Sequence, residues 1–101
     1  MRRAPNLVTV AAVGTTVTAG ATTARVAIPV AASGDAPMVV RIVATGFVYV
    51  KPGSSTVTAT INDRLVSPYQ VEVLGVGGCT NIAYIQETPG SKINICPLET
   101  A

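Results

Sequence analysis

MVVRIVATGFVYVK, residues 38–51, is the stretch whose reading decides the fold. Val40, Ile42, Ala44, Gly46, Val48 and Val50 alternate with Arg41, Val43, Thr45, Phe47 and Tyr49. An extended chain places these two sets on opposite faces. The β-branched side chains suit such a pleated, half-buried surface. Fourteen residues make a long strand. Thr45-Gly46 therefore reads as a bulge or bend, past which the inward face is free to switch.

The same pattern continues outward. Lys51-Pro52-Gly53-Ser54 has the Pro-Gly order of a type II turn. TVTATI then sets Thr56, Thr58 and Thr60 against Val57, Ala59 and Ile61, a half-buried strand pattern. Asn62-Asp63 turns the chain through Asx hydrogen bonding, and Leu65-Val66 is a short extended piece before Ser67-Pro68. YQVEVLGV places Tyr69, Val71 and Val73 on one face and Gln70, Glu72 and Leu74 on the other. Gly77-Gly78 is a turn. TNIAYIQE and SKINICPLE read as a C-terminal hairpin around residues 88–91. Strands are expected over residues 57–61, 71–76, 82–86 and 92–96. Upstream, RVAIPVAA contains Pro29, which cannot donate to a ladder, so this strand belongs at an edge or carries a bulge.

Short strands with turn signals between them and no helical stretch predict an all-β fold. The expectation is a small antiparallel β-sandwich or barrel, jelly-roll or immunoglobulin-like, with an extended N-terminal segment. At 101 residues the chain is one domain with room for a modest core. Residues 1–23 are almost all Ala, Thr, Val and Gly. They read either as a weak first strand or as an arm that orders on a neighbouring subunit, ahead of a sandwich over residues 24–101. The arm reading expects removal of residues 1–23 to leave the sandwich folded and to weaken its attachment to a partner. Arg2 and Arg3 precede an apolar run, but Pro5, Asn6 and interrupting threonines disfavour a signal peptide, and no stretch approaches the length of a membrane span.

Several functions are disfavoured by composition. The chain has no histidine, which removes the commonest general base and metal ligand. Asp35, Asp63, Glu72, Glu87 and Glu99 show no spacing that would bring two carboxylates together. Lys51 and Lys92 are the lysines that a Ser-Lys pair would use, and both read as turn residues. Gly75-Val76-Gly77-Gly78 lacks the helix and the Lys-Ser/Thr of a phosphate loop. Cys79 and Cys96 fall short of the four ligands of a zinc site and are expected to be reduced thiols, a disulfide between the last strands being the alternative. We therefore expect no catalytic, cofactor-binding or metal site, and no enzyme. The net charge of +2 is scattered, and the aromatics are Phe47, Tyr49, Tyr69 and Tyr84, so specific nucleic-acid binding is not expected. Charged residues make up 12% of the chain, about half the usual fraction. So sparse a charge suits a surface covered by another protein better than a lone monomer.

ARVAIPVAASGDAPMVVRIVATGFVYVKPG, then TVTATINDRLVSPYQVEVLGVGGCTNIAYIQ, then INICPLE, resembles a family of small β-rich proteins of tailed bacteriophages. Arg41, Tyr49-Val50, Gly77-Gly78, Thr80, Ile82-Ala83, Ile85-Gln86 and Leu98-Glu99 carry the likeness, over residues 24–101. These are strand and turn motifs without catalytic residues. The resemblance implies a virion structural protein, a head decoration or cement protein on the capsid surface, assembled in the host cytoplasm. Its partners would be the major capsid protein and copies of itself, with no specific nucleic acid and no membrane. The competing expectations are a secreted or surface-displayed β-sandwich that binds a glycan or protein receptor, and a phage tail or head–tail connector component.

Overall fold

The structure, a computed structural model, describes residues 8–10, 14–30, 34 and 36–100. They form nine strands and no helix. The strands are β1 (Val8–Val10), β2 (Thr15–Thr18), β3 (Ala24–Ala27), β4 (Val39–Ala44), β5 (Val48–Gly53), β6 (Arg64–Val66), β7 (Glu72–Gly75), β8 (Asn81–Gln86) and β9 (Lys92–Thr100). One sheet runs β1-β9-β4-β7, with β2 also lying along β9; the other runs β3-β8-β5-β6. All strand pairs are antiparallel, and the two sheets pack as a sandwich. The expected all-β sandwich is thus what the chain forms.

The decisive stretch builds both layers. β4 belongs to the first sheet and β5 to the second, and the chain crosses between them at the bend of Thr45-Gly46. The inward face does not switch: Val40, Ile42, Ala44, Val48 and Val50 are all at most 1% exposed. Ile82 and Tyr84 meet them from β8, and Ile93 and Ile95 from β9. At about 25 cal/mol per Å² of apolar surface removed from water, this set of aliphatic side chains is the main stabilising term.

Residues 57–60 are not a strand, and Ile61 lies in a turn. Their alternation is real, since Ala59 is buried and the threonines are exposed, but no strand lies beside them. Their backbone is held by side chains of the β2–β3 region instead. Arg25 Nη1 donates to Val57 O at 3.1 Å, and Ala59 N donates to Thr23 Oγ1 at 2.8 Å. A period-two pattern reports which side is covered; it does not supply a ladder partner.

The C-terminal hairpin is also overturned. β8 pairs with β3 and β5, whereas β9 pairs with β1, β2 and β4, so residues 87–91 carry the chain from one sheet to the other. Gly90 has φ of +76°, a conformation that favours glycine, and buried Ser91 donates through Oγ to Thr88 O at 2.6 Å. Side chains on both strands face the same core, so the turn sequence alone does not tell a hairpin from a crossover.

Residues 51–53 extend β5, and the expected turn moves on to residues 54–57, where Val57 N donates to Ser54 O. Pro52 is tolerated because β6 pairs only with Val48, Tyr49 and Val50, leaving β5 open on that side at the proline. Pro97 likewise falls between the β9 residues that pair with β2 and those that pair with β1. β3 stops at Ala27, before Pro29, and is an edge strand, one of the two readings its proline left open.

Of the two readings for the N-terminal segment, Thr15–Thr18 takes that of a strand on the chain's own sheet, in register with residues 92–95. Ala19 is buried in the core and donates its N–H to Ser91 O at 2.8 Å. Removing residues 1–23 would therefore strip structure from the sandwich, contrary to the arm expectation. Residues 1–7 and 11–13 lie outside the described residues.

Candidate functional site

The carboxylates considered as catalytic candidates are separated and locally engaged. Asp63 Oδ2 accepts from Thr60 N at 2.7 Å within the turn before β6, a bond back to a residue three earlier instead of the forward Asx bonding expected. Glu72, on β7, accepts from Arg64 Nη2 at 2.6 Å and Nε at 2.9 Å. Glu87 Oε1 accepts from the Tyr49 hydroxyl at 2.8 Å. Asp35 and the Glu99 side chain lie outside the described residues. Lys51 projects from β5 in the second sheet and Lys92 opens β9 in the first, both exposed and in different layers. Among the described residues, no three His, Cys, Asp or Glu side chains group as metal ligands.

Cys79 and Cys96 are free thiols on opposite sides of the first sheet. Cys79 packs against the core. Cys96 alternates with the buried Ile95 and Pro97, so it faces outward, with Sγ 3.3 Å from Asn94 Oδ1. No disulfide joins them.

The hydrogen bond from Tyr49 to Glu87 holds the phenol above its ordinary value, with partial burial and the nearby negative charge adding to the effect. Because the folded-state value is raised, the stabilisation is fully present below the ordinary tyrosine range. It is lost as pH rises through the folded value. We expect Glu87→Gln to bring the Tyr49 ionisation down. The check is tyrosinate absorbance against pH, with a Tyr49→Phe chain identifying the step. An unmoved step would mean that the pair does not form in solution.

The unusual surface lies on the side where β6 and β7 are the outermost strands of their sheets. Residues 67–71 cross between the layers here, and the Arg64–Glu72 ion pair ties the two strands. Exposed around this tie are Ile61, Leu65, Tyr69, Val71 and Val73, all large and apolar. Tyr69, Val71 and Val73 are the face that the alternation of YQVEVLGV grouped together; the opposite face sends Leu74 into the core.

Tyr69 also has φ of +59°, the one positive value at a non-glycine among the described residues. Its N–H donates to Ala44 O at 2.8 Å, and its side chain stands 76% exposed. A bulky residue there costs on the order of 1 kcal/mol relative to glycine. Neither this strain nor the outward direction of the valine face was visible in the sequence, because alternation does not say which face is inside.

The chain matches no protein-family model, no curated protein and no solved structure.

Proposed function

We propose that this protein is a virion structural protein of a tailed bacteriophage, a capsid decoration or cement protein that stabilises the head by bridging shell subunits. The observation that carries this reading is the apolar flank of Ile61, Leu65, Tyr69, Val71 and Val73 on a chain only 12% charged. Large apolar side chains left exposed on this flank are surface of the kind that marks protein–protein contact. The family likeness of residues 24–101 supports the same class, and a rigid sandwich suits a multicopy surface protein. Contacts modest in a single copy act together when many symmetric copies bind one shell. The glycan- or receptor-binding and tail-component readings gain no specific observation from the flank.

The test has two arms. Quantitative mass spectrometry of purified particles should find the chain in a fixed ratio to the major shell protein. A Tyr69→Asn chain should bind empty shells at least about tenfold more weakly, the loss typical of an exposed aromatic anchor. Its thermal stability should stay level or rise by up to about 1 kcal/mol, since Asn tolerates positive φ. Absence from particles, together with glycan or receptor binding, would replace this reading with the secreted module.

A further inference from the structure

We infer that β7 is a homodimerisation edge, where two copies pair their β7 strands about a two-fold axis at Val73. β7 pairs with β4 on one side only. Val76 N donates to Met38 O at 2.8 Å, in line with the register that sets Leu74 opposite Val40 and Glu72 opposite Ile42. Hydrogen-bonded and non-bonded positions alternate in an antiparallel ladder. Leu74 and Glu72 therefore bond to β4, while the N–H and C=O of Val73 and Gly75 point away from it into the open edge.

A second β7 fits that edge. In an antiparallel pair centred on Val73, Val73 meets its own copy, and Val71 of each chain meets Gly75 of the other. These three pairs supply about six backbone hydrogen bonds. Nothing stands within 4 Å of where a Gly75 Cβ would be, so Val71 of the second copy has room there. Glu72 falls opposite Leu74, not opposite its own copy, and its charge is already paired with Arg64. No like charges meet across the axis.

Both edges of the second sheet are guarded where this one is not. Natural edge strands carry charges, prolines or coverings that block pairing. β3 carries Arg25, is followed by Pro29, and lies against residues 57–60 through the Arg25 and Thr23 bonds. β6 has three residues and opens on Arg64. β7 presents Val71, Val73 and Gly75, uncharged, with both valines more than half exposed.

A short strand pair buries less than the ~800 Å² per partner of a standard interface. The dimer therefore dissociates in solution, with an expected Kd of roughly 10–100 µM. This inference stands apart from the virion reading, because the pairing needs only the isolated chain.

The experiment is sedimentation equilibrium of the full chain from about 1 µM to 1 mM. The expected result is a monomer–dimer equilibrium in that range. Val73→Lys, whose side chain points to solvent, should keep the far-ultraviolet dichroism and melting of the native domain. It should weaken the dimer at least about tenfold by placing like charges directly opposite. Val73→Cys should cross-link to a covalent dimer under mild oxidation, since bonded antiparallel pairs lie about 5.5 Å apart at Cα. Lys51→Cys, in the other sheet, should not exceed the background set by native Cys79 and Cys96. A monomer at every concentration would overturn the inference, as would a dimer that Val73→Lys leaves intact.

Discussion

Deleting residues 1–23 should cost the domain about 3–5 kcal/mol, close to its whole stability. The loss combines several terms. The four register pairs between Thr15–Thr18 and residues 92–95 disappear, leaving that side of β9 open. Ala19 leaves the core together with its bond to Ser91 O, and Val17, which packs on the same cluster, goes with it. Ile93 and Ile95, fully buried in the intact chain, lie directly opposite the deleted residues Val17 and Thr15. Thr23 is also removed, so Ala59 N loses its acceptor. Equilibrium urea unfolding followed by dichroism reads the effect as a lower midpoint or an unfolded chain. An unchanged midpoint would mean that β2 adds nothing to the sheet.

Gly46→Val should be the most damaging single substitution, costing roughly 3 kcal/mol or more. Gly46 sits where the chain passes from β4 to β5, and it is buried. A Cβ there would collide with Ser91 Oγ, and would lie 3.1 Å from Thr88 Cβ and 3.2 Å from Ser91 Cβ. Ser91 cannot swing aside freely, because its hydroxyl is committed to Thr88 O. Two crossovers between the sheets, at residues 45–47 and 87–91, thus press against each other at this point. Gly46→Ala should show a smaller part of the same loss. Gly20→Ala, with nothing near its Cβ position, should be close to neutral. Equal melting temperatures for Gly46→Val and Gly20→Ala would refute the argument.

What could be read from the residues followed a physical divide. Side-chain alternation is local, so the shared inward face of β4 and β5 was legible in the sequence, and Pro29 left the edge position of β3 as one of two readings. Pairing is not local. Whether β8 turns back on β9 or hands the chain to the other sheet depends on contacts with β3 and β4, far away in sequence. Residues 57–61 carry a strand pattern without a strand because Arg25 and Thr23 satisfy the backbone that a neighbour would otherwise bond. Tyr69, Val71 and Val73 could be grouped on one face, yet nothing local marked that face as solvent-directed. The positive φ of Tyr69 falls in the crossover where its N–H meets Ala44 O, a tertiary contact without a sequence signal.

β9 holds β1, β2 and β4 together, and it is the last of the described strands. A ribosome adding about 5–20 residues per second needs on the order of 2–10 s to travel from the end of β4 to the start of β9. During that interval β2 and β4 are synthesised but lack the strand that joins them. The second sheet is under no such delay, since β3, β5, β6 and β8 are all complete before β9 begins. Assembly should therefore proceed by halves, with the second sheet able to form without β9 and the first closing only once β9 joins it. A chain truncated before residue 92 should be captured by holdase chaperones far more than one that includes β9.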